Sequence, residues 1–91
     1  MQVAGVAGSG VPASGVTAVV LNVTAVWPSA ESFLSVWPAG VGRPLVSNLN
    51  FPAGRTIPNL VTAKVGAGGK VSVYNNSGGV HVVADVVGYL V

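Results

Sequence analysis

No cysteine occurs in the 91 residues. Disulfide frameworks, thiolate metal sites and cysteine nucleophiles are thereby excluded, although the absence does not fix a compartment. Charge is nearly as scarce: four Lys/Arg and two Asp/Glu make up 7% of the chain, against about 25% in a typical soluble domain. Arg43, Arg55, Lys64 and Lys70 are scattered along the sequence. The net charge of +2 and the pI near 9.5 therefore describe no clustered basic stripe of the kind a phosphate backbone requires. Nucleic-acid binding is not expected. Long apolar runs are missing too. A transmembrane helix needs about 20 mainly apolar residues, and the nearest stretch, 80–91, is interrupted by His81, Asp85 and Gly88. Membrane insertion is not expected. Residues 1–10 lack the basic residue and sustained apolar core of a signal peptide, and read as a start placed on a segment of something longer.

What the chain does have is β-branched residues and chain breakers. Hydrophobic residues make up 51%, with thirteen glycines and six prolines, and no window carries a helical period. Short β-branched runs at 17–26, 33–37, 46–51, 59–65, 70–75 and 80–90, separated by Gly, Pro, Asn and Ser clusters, read as strands. Prolines 38, 44, 52 and 58 sit at their margins, where a missing N–H does least damage. Two turns are expected to close hairpins, Gly66-Ala67-Gly68-Gly69 and the loop from Trp27-Pro28 to Ser32, and Asn75-Asn76-Ser77-Gly78-Gly79 is expected as a third turn. The expected fold is all-β, a small antiparallel β-sandwich or pseudo-symmetric barrel of about six strands. Residues 1–15 read as a flexible or loosely docked N-terminal segment and 16–91 as a single β domain. An internal echo suggests two three-stranded repeats: Val20-Leu21-Asn22-Val23-Thr24-Ala25-Val26 followed by Phe33-Leu34-Ser35-Val36-Trp37 parallels Asn59-Leu60-Val61-Thr62-Ala63-Lys64-Val65 followed by Lys70-Val71-Ser72-Val73-Tyr74.

An ordered series of phrases carries a family resemblance. It begins with Gly15-Val16-Thr17-Ala18-Val19-Val20-Leu21-Asn22-Val23-Thr24-Ala25-Val26 and Phe33-Leu34-Ser35-Val36-Trp37-Pro38-Ala39-Gly40. It continues with Ser47-Asn48-Leu49-Asn50-Phe51, Pro58-Asn59-Leu60-Val61, Gly69-Lys70-Val71-Ser72-Val73-Tyr74-Asn75 and His81-Val82-Val83-Ala84-Asp85-Val86-Val87-Gly88-Tyr89. Over residues 12–91 the chain resembles a β-rich repeat module of roughly eighty residues from secreted and cell-surface proteins of actinobacteria. That module often occurs in tandem or beside cell-wall amidase domains. The resemblance implies an extracellular accessory repeat and transfers no catalytic or binding residue. One departure is Leu90, where the module usually has an aromatic.

His81 and Asp85 are the one pair resembling an acid–base set. Four residues apart on a strand they share a face but stand about 13 Å apart at roughly 3.3 Å per residue, too far to bond. Asp85, set among valines, is expected to be a buried carboxylate satisfied by backbone N–H groups or an arginine, and His81 to face solvent or an interface. One histidine and two carboxylates fill no protein-only zinc site, and no calcium loop is present. No cofactor is implied, and the chain is not expected to be an enzyme.

Asparagines in or beside strands are the remaining signal, because Asn is disfavoured there. Asn48 and Asn50 alternate with Leu49 and Phe51, so both amides share a face. They either satisfy backbone groups and interfaces or present neutral donors and acceptors to a glycan. Asn22-Val23-Thr24 and Asn75-Asn76-Ser77 match the glycosylation pattern, which in a bacterial protein reads as accidental. Trp27 and Trp37, each in Val-Trp-Pro, fit either core or interface anchors or a sugar platform. The candidate ligand-binding set is Trp27, Trp37, Asn48, Asn50, Tyr74 and Asn75. The leading expectation is a non-catalytic extracellular structural or interaction repeat, secreted or at the cell surface, that self-associates or packs against neighbouring repeats. The alternative is a carbohydrate-binding module for a neutral glycan or peptidoglycan, its partner a cell-wall polysaccharide.

Overall fold

A computed structural model describes residues 1–6 and 8–91. Among these residues six strands form: β1 (Ala18–Val26), β2 (Ser32–Pro38), β3 (Leu49–Phe51), β4 (Ile57–Lys64), β5 (Val71–Asn75) and β6 (His81–Leu90). They make two three-stranded antiparallel sheets, ordered β4-β1-β6 and β3-β2-β5. The fold is all-β, as the strand pattern predicts. The third strand is shorter than its expected run, because 46–48 instead form a segment that folds back over β2.

Alternation decides what is buried. On β1, Val19, Leu21, Val23 and Ala25 point inward and are essentially sealed from solvent. The intervening residues from Val20 to Val26 form the outer face and stay half-exposed. Leu34 and Val36 of β2, Leu49 and Phe51 of β3, Val61 and Ala63 of β4, and Val71 of β5 complete the core between the sheets. Each fully buried aliphatic side chain contributes roughly 1.5–3 kcal/mol relative to exposure. The first residues add to this core: Val3, Ala4 and Val11 are buried in it. The N–H groups of Val3 and Ala4 both bond to the Gly69 carbonyl at 2.9 and 3.0 Å, and Gln2 bridges to Lys70.

Neither expected hairpin forms. The turns after β1, β4 and β5 each carry the chain from one sheet to the other, and β2 with β3 is the one sequence-adjacent pair among the described residues. The glycines serve a different purpose in these turns. A Cβ on Gly66 would come within 2.2 Å of the Ala39 carbonyl oxygen, so that turn lies flat against the loop after β2. Gly68 and Gly69 both take positive φ within a short 3-10 turn, Ala67–Gly69. At the other end a Cβ on Gly78 would meet the Ser29 hydroxyl at 2.7 Å. There the Ser29 N–H donates to the Gly79 carbonyl, and the Gly79 N–H donates back to Ser29 Oγ at 2.8 Å. Turn packs on turn at both ends of the sandwich.

The sequence echo appears as pairing. β1 lies antiparallel beside β4, and β2 beside β5, so the echoed segments are neighbours in their sheets. The third strands depart from that symmetry: β3 adds to β2, while β6 adds to β1. Each sheet thus takes strands from both halves of the chain.

Candidate interaction surfaces

The residues singled out in the sequence do not converge. Trp27 and Trp37 lie at opposite ends of the sandwich, separated by the run of β2 from Ser32 to Trp37, about 17 Å at 3.3 Å per residue. Trp27 follows the end of β1, is 73% exposed and has its backbone at φ 50°, a costly conformation for a bulky residue that precedes proline. Trp37 is half-buried, and its indole N–H donates to the Val41 carbonyl at 2.8 Å. No two-tryptophan platform exists.

Two of the amides are committed to structure. Asn48 Oδ1 accepts the Val36 N–H at 2.7 Å, and the Asn48 N–H donates to the Leu34 carbonyl at 2.8 Å. These bonds hold the returning segment on the outer side of β2, where the Ser35 hydroxyl donates to the Val46 carbonyl and is fully buried. Asn75 Oδ1 accepts from the Ser32 hydroxyl at 2.8 Å, and its amide donates to the Gly78 carbonyl at 2.9 Å. Asn59, donating to the Asn48 carbonyl at 2.6 Å, ties β4 of one sheet to the segment entering β3 of the other. For the half-buried Asn48 and Asn75, a neutral amide stitches the structure where a charge would be too costly to desolvate.

Asn50 and Tyr74 do share a face. In the ladders Phe33 stands opposite Asn50, and Ser35 opposite Tyr74, so all four point outward from the β3-β2-β5 sheet. The Phe33 and Tyr74 rings tilt together with centroids 6.3 Å apart. The Arg43 guanidinium sits 3.8 Å over the Tyr74 ring, a cation–π contact at a solvent-facing site. On one side of Phe33 lies an open hollow of about 520 Å³ lined by Glu31, Asn50, Pro52 and Asn76. On the other is a smaller one of about 300 Å³ between Arg43 and Val46. Phe33, Arg43 and Asn76 were not apparent as site residues in the sequence. The i, i+2 alternation of Phe33, Ser35 and Trp37 marks Phe33 as outward-facing, but nothing local announces that the loop after β2 brings Arg43 back onto Tyr74.

A second surface is formed by β6. It is an edge strand with β1 as its one bonded neighbour among the described residues, and no other element packs extensively against it. Asn22 stands opposite Asp85, Thr24 opposite Val83 and Val26 opposite His81, so His81, Val83 and Asp85 share the outer face. Asp85 is exposed. The expectation of a buried carboxylate is overturned, because Asp85 lies on the outer face of β6 opposite Asn22, away from the core. Val83 is 48% exposed and Leu90 52%. The register slips between Val86 and Gly88, a β-bulge that leaves Val87 unpaired and 60% exposed. Even the inward side is incompletely covered, with Val82 and Tyr89 exposed and Val86 bordering a shallow hollow beside Val11.

Among the described residues no three His, Asp or Glu side chains come together as metal ligands. Among the same residues no helix is long and apolar enough to cross a membrane. No protein-family model, curated protein or solved structure matches the chain.

The two kinds of sequence candidate should respond differently to truncation. Asn48→Ala leaves the Val36 N–H unpaired and is expected to cost about 1–3 kcal/mol in urea unfolding, whereas Trp27→Ala should stay within about 0.5 kcal/mol of the parent. A neutral Asn48→Ala would show that the amide is dispensable to the fold.

Proposed function

We propose that this chain is a non-catalytic interaction module, one that works by packing against further copies of itself or against neighbouring repeats at a cell surface or cell wall. The observation that carries the reading is the state of β6: ten residues, one bonded edge, and valines and a leucine left exposed on an almost uncharged strand. A long apolar edge strand is a template for pairing with another chain, and isolated domains protect such edges with charge, proline or cover. Apart from its bulge, β6 has little of this protection, with one histidine, His81, and one carboxylate, Asp85, along its length. The low charge of the whole chain supports the same reading, since self-repulsion between copies is weak. The resemblance of residues 12–91 to a tandem actinobacterial module supports the extracellular setting.

A second reading, binding of a neutral glycan, is favoured by the outer face of the β3-β2-β5 sheet. Phe33 and Tyr74 there offer ring faces beside the side-chain amides of Asn50 and Asn76, an arrangement suited to the apolar face and hydroxyls of a sugar.

Sedimentation velocity over a hundredfold range of concentration tests the first reading. The sedimentation coefficient should rise with concentration, and a single monomeric boundary throughout would contradict it. For the second, calorimetric titration with soluble peptidoglycan fragments should give heat that Tyr74→Ala weakens about tenfold. Absent heat, or heat unchanged in that variant, would remove the glycan.

A further inference from the structure

We infer that β6 pairs antiparallel with β6 of a second copy, about a two-fold axis passing through Val83, so that His81 of each copy stands opposite Asp85 of the other. This inference rests on the self-association reading and specifies its geometry. The occupant of the free edge is argued from charge complementarity and from the limits of the strand itself.

In a symmetric antiparallel pair the numbers of opposing residues sum to a constant, which is twice the number of the residue on the axis. The bulge at Val87 interrupts the ladder, so the regular part of β6 runs from His81 to Val86. An axis at Val83 lies near the middle of that run. It sets Val82 opposite Ala84, Val83 opposite its own copy, and His81 opposite Asp85 twice. Val86 then meets Val80, which already packs against the core just before the strand.

Neighbouring registers are worse. An axis at Ala84 opposes Val83 to Asp85 and sets His81 against the bulge. An axis at Asp85 brings two carboxylates face to face, which is destabilising. A slip of a single residue in pairing would move every side chain to the wrong face. His81, Val83 and Asp85 all project from the outer face of the sheet, as their partners Val26, Thr24 and Asn22 on β1 do. The imidazole and carboxylate of opposing strands can therefore meet directly, flanking the Val83 pair on both sides. β1 supplies no ionisable side chain to compete for either group. The separation that rules out a bond between His81 and Asp85 within one strand is what makes them complementary between two: four residues apart, they exchange places across an axis at the residue midway.

Charge exchange at these positions tests the register. In sedimentation equilibrium, His81→Asp opposes carboxylates across the axis and should weaken self-association about tenfold. Asp85→Lys, which opposes lysine to imidazole, should weaken it likewise. Mixing the two variants sets the introduced carboxylate at 81 against the introduced lysine at 85, and leaves His81 of one chain facing Asp85 of the other. The mixture should associate at least as tightly as the parent. Both positions are exposed, and circular dichroism on each variant confirms that it folds. A parent chain that stays monomeric overturns the self-association reading together with this inference. A parent that associates, with both variants doing so equally well or with a mixture no tighter than either alone, overturns the register and leaves self-association standing.

Discussion

The ladder between β1 and β6 is the contact on which the rest of the molecule's behaviour depends, because it holds the last strand to the sandwich along one edge only. β1 is bonded on both sides, to β4 and β6, and its inward side chains are sealed. β6 receives the same backbone bonds along one edge and, among the described residues, no strand along the other. A ten-residue strand of mostly apolar side chains is thus ordered by β1, with Ala84 and Val86 packed against the core and most of the rest exposed. The sheets are also interleaved. Since both draw on the two halves of the chain, neither half can complete a layer alone, and contacts between distant parts of the sequence dominate, a topology that folds slowly.

Scarcity of charge shapes the interior as well as the surface. No buried side-chain nitrogen or oxygen among the described residues lacks a hydrogen-bond partner, and the partners are neutral. Ser32 illustrates this: its hydroxyl donates to Asn75 and accepts the Ser77 N–H at 2.9 Å, joining the start of β2 to the turn after β5. Asn48, Asn59 and Ser35 do similar work at the loop that covers β2. Neutral groups can be buried this way with a modest desolvation cost, where an ion would need a partner that this composition does not supply. The chain therefore spends its asparagines on its own backbone, and few are left for a ligand.

Strand positions were legible in the sequence because period-two alternation and breaker clusters are local signals. Leu49 and Phe51 turn inward and Asn50 outward, as their spacing requires. The turns were not legible. Gly66-Ala67-Gly68-Gly69 reads locally as a hairpin, but a glycine needed for close approach to Ala39 looks the same in sequence as one needed for a tight reversal. Asp85 was misplaced for a related reason: a carboxylate among valines implies burial only if its face of the strand is turned to the core. Arg43 on Tyr74 was invisible, since it depends on the path of a loop. What survives from the sequence reading of His81 and Asp85 is their spacing, which acquires meaning once β6 is seen to be an edge.

The central claim is that the free edge of β6 is completed by another chain. Hydrogen–deuterium exchange, followed by residue-resolved NMR or mass spectrometry at dilute and concentrated protein, measures this directly. Amide protection within 81–86 should rise with concentration while the β1 amides, already paired on both sides, change little. Protection of β6 that is independent of concentration, or a gain confined to β3 and β5, would contradict the account.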